Sequence, residues 1–515
     1  MQYSTSHEHT KQVLQFSTCG NFVAYASAYN LTVRTVNDLS IVAMHQCVDE
    51  IDSVEFDKAS QLVLCTCAKR KSAHVFSLKN PDWYCKVDEG PLGLSHARFA
   101  PDGRHVLTVA DCKVRITIWS LLDRSVRFIR SPKFTKAGLA FSNNGSRMAL
   151  AHRNDEIDEL RIYASGDGSF SVMKAFEVGT MDLADIKWSP DSKSICILDG
   201  VLFPKVLIYD QQGRHLATHK LHDVASCDGP GLGLGPRAAE WSTLGSILAI
   251  GCRDGQCQLL NALTWQCVSE LSHPLDVRPS FSPDAAVYME IEETRGQERA
   301  DFPSPFDRSY KAMRPPLKIE SSSSQLGVGS GQVGSVSRLS WSSNSCYLAT
   351  CCDSCRKVVW VWDMSNFSLS AALVHLNDVH SFSWHSNRQV LAICTGQPFV
   401  YLWSPVGCRS APLPESKDFK VTSVAWNPVD DSLLLISEDR FCICFVSMPE
   451  TGKVATVHAS TSSSSENEEA KLMDAIAMSK SLGTQHASEE QVSTVSEFSG
   501  GMLYGLPPSI SPTGA

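Results

Sequence analysis

LSHARFAPDGRHVLTVADCKVRITIWSL, residues 94–121, is three short apolar runs parted by two polar turns. The first run ends in Phe99 and is followed by Pro101-Asp102-Gly103. The second, HVLTVA, reaches a turn at Asp111, and the third ends in Trp119-Ser120. The order returns at 183–209 (LADIKWSPDSKSICILDGVLFPKVLIY), 336–363 (VSRLSWSSNSCYLATCCDSCRKVVWVWD), 379–404 and 421–446. Pro-Asp-Gly and Asn-Gly turns tolerate the φ values of a tight hairpin. Each unit therefore reads as three strands in a meander, with a fourth, more polar strand outside, such as 369–375.

The aromatics that close the first run are Phe16, Phe56, Phe99, Phe141, Trp188, Trp241, Trp341, Trp384 and Trp426. Most lie 40–47 residues apart, and Trp241 and Trp341 are separated by 100. A period of about 40–45 residues with four short strands is the pattern of a WD-type β-propeller. The fold expected is all-β, one large ring of about nine blades over residues 12–448; a seven-bladed ring with extra packed blades is the alternative. The runs are continuous because blades stack face to face and bury both sides of each strand. Phe99, Trp119, Trp188, Trp241, Trp341, Trp362, Asp363, Trp384, Trp403 and Trp426 are the expected structural anchors. VRPSFSPDAAVYMEI (277–291) looks like half of a further unit anchored by Phe281, which would make ten.

Outside the repeat, residues 1–11 read as a flexible N-terminus and 292–335 as a long surface loop. Residues 449–515 read as a Ser-rich, acidic, disordered tail, in which 467–482 has the charge pattern of a short helix before Gly483. The net charge is −9, of which the tail carries −5. No basic block marks a nucleic-acid surface. No apolar run is long enough to span a membrane, and the polar start MQYSTSHEHTKQ has no secretory h-region. Nineteen cysteines without a secretory signal read as reduced, buried thiols of the cytoplasm.

Motifs that carry chemistry are few. Gly229 to Gly235 is Gly-rich but is followed by Pro236-Arg237 rather than by Gly-Lys-Ser, and reads as an inter-blade loop. Cys352 and Cys355 form a Cys-x-x-Cys with Cys351 beside it, without a second pair of metal-ligand spacing. No nucleophile elbow or metal-binding helix is present. The expectation is a non-enzyme with no catalytic residue, metal, cofactor or small-molecule substrate. The most distinctive non-repeat string is Asn80 to Gly90. Trp83 and Tyr84 offer aromatic area, Asp88 and Glu89 offer charge, and Arg104 lies on a nearby turn, so these five are the candidate partner-binding residues. The other reading is that Trp83 caps the core and the carboxylates bond the turn.

PDWYCKVDEG (81–90), APDGRH (100–105) and RITIWSL (115–121) resemble the WD-repeat-containing protein 8 family, centrosomal and spindle-pole proteins whose gene lies antisense to a p73-type gene. LAICTG (391–396), YLWSPVGC (401–408), FCICF (441–445) and the Trp241 unit with Asp254-Gly255 are similar to it too. The resemblance covers 12–448. It implies a non-enzymatic adaptor in the cytoplasm at the microtubule-organising centre (centrosome, spindle pole, basal body), supporting spindle and cilium assembly. The partners it implies are a coiled-coil protein anchoring microtubule minus ends and a minus-end-directed kinesin-14. The other class expected of such a ring is a propeller subunit or substrate receptor in translation or ubiquitin machinery.

Overall fold

In the computed structural model, all nine anchoring aromatics end the first strand of a blade, from Leu14–Phe16 in blade 1 to Ser423–Trp426 in blade 9. The structure describes residues 1–111, 114–133, 138–166, 168–221, 235–274, 276–277, 285–293, 307–314, 316–319, 334–413 and 419–446. Phe281, the Gly-rich run 229–234 and the tail with its expected helix lie outside the described residues.

The hairpin after each anchor is built from side chains that replace missing backbone partners. The next residue is often Ser, whose Oγ accepts the N–H five positions on: Phe22 N to Ser17 at 3.0 Å, Ser194 N to Ser189 at 2.9 Å, Tyr347 N to Ser342 at 2.9 Å. Asp57 does the same for Leu62 N at 2.6 Å. The turn then needs one residue at positive φ. Gly103 and Gly245 supply it without a Cβ, whereas Ser60, Ser192 and Ser345 hold φ of 55–61°. Each of these serines accepts an N–H from the preceding blade's turn, from Cys19 at 3.0 Å, Asn144 at 3.3 Å and Leu244 at 3.1 Å. The bond offsets the strain and ties neighbouring blades together.

Nine apolar clusters fill nine interfaces between consecutive blades. Alternation along one strand serves two of them: Ile195 and Ile197 face blade 4, while Cys196 and Leu198 face blade 6. The last cluster joins Phe16, Val23 and Tyr25 of blade 1 to Leu434, Phe441 and Ile443 of blade 9, so the ring is closed. Nine blades in one ring is the expected architecture.

Two stretches depart from the sequence reading. Residues 1–11 were expected to be flexible, yet Gln2–Tyr3 and His7–Glu8 pair antiparallel with Arg440–Phe445 and form the outer edge of blade 9. The described part of that blade has only three strands of its own, so its outermost backbone groups take the N-terminus as partner. Second, the described residues of the interval before Trp341 form no tenth blade. Ala286–Glu293 lies parallel to the outer strand of blade 7, Ser368–Val374, and pairs antiparallel with Asp307–Met313, so part of the expected loop 292–335 is a strand. Ser368–Val374 carries no charged side chain to guard an exposed edge, and the inserted hairpin covers it.

Candidate functional site

A strand crosses the blade from one ring face to the other, so the position of a residue along its strand decides its face. Tyr84–Asp88 is the outer strand of blade 2. Trp83 and Tyr84 stand at one end of it, on the face that also carries Arg104, in the turn between the first two strands of blade 3. Asp88 and Glu89 stand at the other end. The five candidate residues thus divide between the two faces and form no single patch.

Their surroundings differ too. Trp83 packs, partly buried, beside the cluster between blades 2 and 3 that holds Leu64, Val75 and Phe99. Tyr84 is half exposed and shares a 2.7 Å hydrogen bond with His74 Nδ1. Asp88 is exposed, 3.3 Å from Lys86. The Gly90 N–H beside it donates to its carboxylate, chief among the causes that hold its pKa below the usual range. Arg104 is exposed. Glu89 is buried: Thr108 Oγ1 donates to one oxygen and Arg115 to the other at 2.9 Å.

Glu89 belongs to a relay. Trp119 Nε1 donates to Thr108 Oγ1 at 2.7 Å, and Thr108 donates to Glu89. Blade 7 repeats the geometry with histidine. Trp362 Nε1 donates to Thr350 Oγ1 at 2.9 Å, and Thr350 meets His273 Nε2 at 2.7 Å. His273 Nδ1 donates to the Gly255 carbonyl at 2.7 Å, which leaves Nε2 as the acceptor for the Thr350 hydroxyl. Burial lowers the His273 pKa to about 4 and keeps the ring neutral. Glu89 and His273 each follow one blade's outer strand and clamp the next blade, which is a role in the fold.

The sequence reading missed a concavity, an opening of about 730 Å³ on the channel side of blades 5–8. The innermost strands of these blades wall it, with Lys187 and Glu240 on blades 5 and 6, Arg237 just before the first strand of blade 6, Arg253 in a turn of that blade, Arg338 on blade 7 and Phe382 on blade 8. Loss of hydration against the channel wall pushes the Glu240 carboxyl up to about 7, although the residue keeps an exposed edge, with Lys187 opposing. Arg253 is held below its ordinary pKa by burial and then by Arg237. The signal available in the sequence was that basic residues sit on or beside inner strands: Lys187 next to Trp188, Arg237 one residue before the strand to Trp241, and Arg338 three before Trp341.

A second missed feature is buried charge under the hairpin of blade 7. Glu290 is 3% exposed and accepts from Tyr401 Oη at 2.6 Å, Arg308 at 2.7 Å and Leu376 N at 2.8 Å. Arg308 also lies over the Phe399 ring. These bonds lock the hairpin onto blade 8. The seventeen described cysteines are all free, and only Cys267 is exposed. Cys352 and Cys355 are buried at a turn of blade 7, and among the described residues no group of three His, Cys, Asp or Glu side chains is placed to hold a metal ion.

Comparison with known proteins agrees with the ring. Residues 323–363 match the WD domain, G-beta repeat. The mouse WD repeat-containing protein WRAP73 is 34% identical over 87% of this chain and 97% of its own length. An uncharacterized WD repeat-containing protein of Schizosaccharomyces pombe is 22% identical over 72% of this chain and 76% of its own. The C-terminal WD40 domain of Sif2 aligns with 87% of this chain and 98% of that one at 10% identity and a TM-score of 0.46, too distant to bear on this chain's role. The match to the mouse protein spans 87% of this chain rather than one repeat, in agreement with the resemblance carried by residues 81–121: the chain belongs to the WD-repeat family represented by WRAP73.

Proposed function

We propose that this protein is a non-enzymatic scaffold at the microtubule-organising centre, where it helps to anchor microtubule minus ends and supports spindle and cilium assembly. The observation that carries the reading is the family relationship, 34% identity over 97% of mouse WRAP73. The pole location follows from the resemblance of the strings in 81–121 and 391–445. The partners are proteins: a coiled-coil minus-end anchoring protein and a kinesin-14 motor. The ring suits this work, because loops on a closed scaffold lose little freedom when a partner docks.

The test is location with partner identity. The tag belongs at the C-terminus, because Gln2–Tyr3 and His7–Glu8 are strands of blade 9. The tagged protein is imaged in dividing cells with a pole marker, and co-purifying proteins are identified. Enrichment at the poles with a coiled-coil anchoring protein is the expected result. A diffuse or ribosome-associated signal without a pole partner would sink the proposal and favour a subunit of translation or ubiquitin machinery.

A further inference from the structure

The charges around the channel opening do not balance locally. Arg237 is exposed and Arg253 is half-buried, with a buried Nε that has no hydrogen-bond partner. Neither lies within 4 Å of a carboxylate oxygen among the described residues. Arg338 donates to the carbonyl oxygens of Val379, at 3.3 Å, and of His380, which carry no charge. Of the nearby acids, Glu240 has Lys187 as its opposing charge, and Asp185 and Asp199 are already engaged. Asp185 sits 3.6 Å from Lys187, and Asp199 sits 3.3 Å from Lys205 while accepting the N–H groups of Met181 and Asp182. Asp353 accepts the hydroxyls of Ser335 and Ser337, and its single charge faces Arg237, Arg253 and Arg356 together.

Adjacent guanidiniums that share a single carboxylate with Arg356 repel each other, and an unpaired buried N–H donor is costly. An anion between them removes both penalties, and the planar fork of arginine suits a carboxylate or a phosphate. Leu198, Leu339 and Phe382 add apolar wall to the same opening. We propose that this channel mouth binds an anionic segment of a partner protein, its carboxylate or phosphate groups held by Arg237 and Arg253 and a neighbouring apolar side chain seated against Leu339 and Phe382. A nucleic acid fits less well. Asp185, Asp199 and Glu240 line the same wall and repel a continuous phosphate backbone, and the body of the chain has no basic surplus. The inference deepens the scaffold reading by naming one docking chemistry, and it rests on that reading only for the partner being a protein.

The experiment uses the purified full chain and three labelled synthetic peptides of one apolar-flanked sequence: Glu-containing, phosphoserine-containing, and Gln-containing at the same positions. Fluorescence anisotropy should show binding of the first two and not the third, weakening as salt rises. Tighter binding of the phosphoserine form identifies phosphate as the preferred group, and equal binding identifies carboxylate. R237Q/R253Q should weaken binding by at least about tenfold, the loss of one or two charge-assisted bonds. Inorganic phosphate should raise the Tm of the parent protein, at matched ionic strength, and not that of the variant. R237Q alone makes the same test if the double variant does not fold, because the Arg237 side chain is exposed and makes no hydrogen bond or ion pair among the described residues. Failure of all three peptides to bind the parent, binding undiminished in the variants, or tighter binding of a single-stranded oligonucleotide than of either acidic peptide would overturn the proposal. None of these results touches pole localisation, and a failed localisation leaves the peptide assay standing.

Discussion

Glu89 shows how little separates an exposed carboxylate from a buried one in sequence. Asp88 and Glu89 are adjacent acids after an outer strand, and nothing local separates them. Asp88 points to solvent, whereas Glu89 turns under blade 3 to meet Thr108 and Arg115. Its partners lie on strands that only pairing brings near, so the relay was not readable from the string. Removing one member of a buried, hydrogen-bonded ion pair leaves the other uncompensated. Glu89→Ala should therefore lower unfolding stability by about 3 kcal/mol, read as a lower urea midpoint, and leave Asp88→Ala as a near-neutral control. Trp83→Ala should also destabilise the ring, by the same measurement, because the indole packs beside the cluster between blades 2 and 3. An unchanged midpoint would return Trp83 to the partner-binding surface.

Buried histidines set the acid limit of the fold. His375 is 3% exposed, 3.0 Å from Tyr310 Oη and 3.8 Å from Glu290, with the Tyr401 ring against it. Burial lowers its pKa to about 4 despite Glu290, and burial does the same to His152 and His273. A histidine of depressed folded pKa binds its proton more readily in the unfolded chain. The unfolded state therefore takes up more protons between pH 6.5 and 4, and stability falls as pH drops through that window. The His375 contribution is at most about 3 kcal/mol. Urea midpoints should decline from pH 7 to pH 5, and His375→Gln should flatten part of that slope. Glu240, pushed up to about 7, works in the opposite direction, but its residue is open to solvent and its weight is small.

Among elements, the innermost strands carry a device that divides the ring. Trp188, Trp241, Trp341, Trp384 and Trp426 each donate the indole N–H to a carbonyl of the preceding blade, on Ala140, Lys187, Glu240, Ser340 and Ser383, at 2.9–3.4 Å. That carbonyl always belongs to the residue just before the neighbour's anchor. Blades 1–4 have Phe there and no N–H to give. Their interfaces use other contacts, such as the Phe99 N–H to Glu55 at 3.2 Å and the Arg98 guanidinium over Phe141. The Phe and Trp anchors were all visible in the sequence, but the bonds were not, since donor and acceptor lie 43–101 residues apart. Trp384→Phe should cost about 1 kcal/mol, the net worth of one hydrogen bond, and a urea midpoint shift would show it. Deleting residues 1–9 should cost more. It strips the outer edge from Arg440–Phe445 and uncovers Phe441, so a lower Tm and concentration-dependent association on size-exclusion chromatography are expected.

At the scale of the whole molecule, closure is the property that matters. Every interface resembles its neighbours, so a chain cut before blade 9 keeps eight blades but exposes two faces at once: Phe16, Val23 and Tyr25 of blade 1, and Cys394, Val400 and Leu402 of blade 8. A chain ending at residue 413 should therefore aggregate where the intact chain does not, which sedimentation or light scattering would detect.

The period of the aromatics, their tight turns and the doubly apolar runs were enough to identify the propeller and its nine repeats, because each is a local pattern within a span of about 40 residues. The same strings also carried the family. Which residues complete blade 9, whether the long interval before Trp341 holds a blade or a hairpin, and which charges meet at the channel mouth were decided by strand pairing and by the packing of neighbouring blades. Pairing brings Gln2 to Phe445 and Arg237 near Arg253, and packing of neighbouring blades brings Glu290 to Tyr401 and Asp353 to the two arginines. Contacts across such separations depend on strand pairing and burial, and no local pattern of residues encodes them.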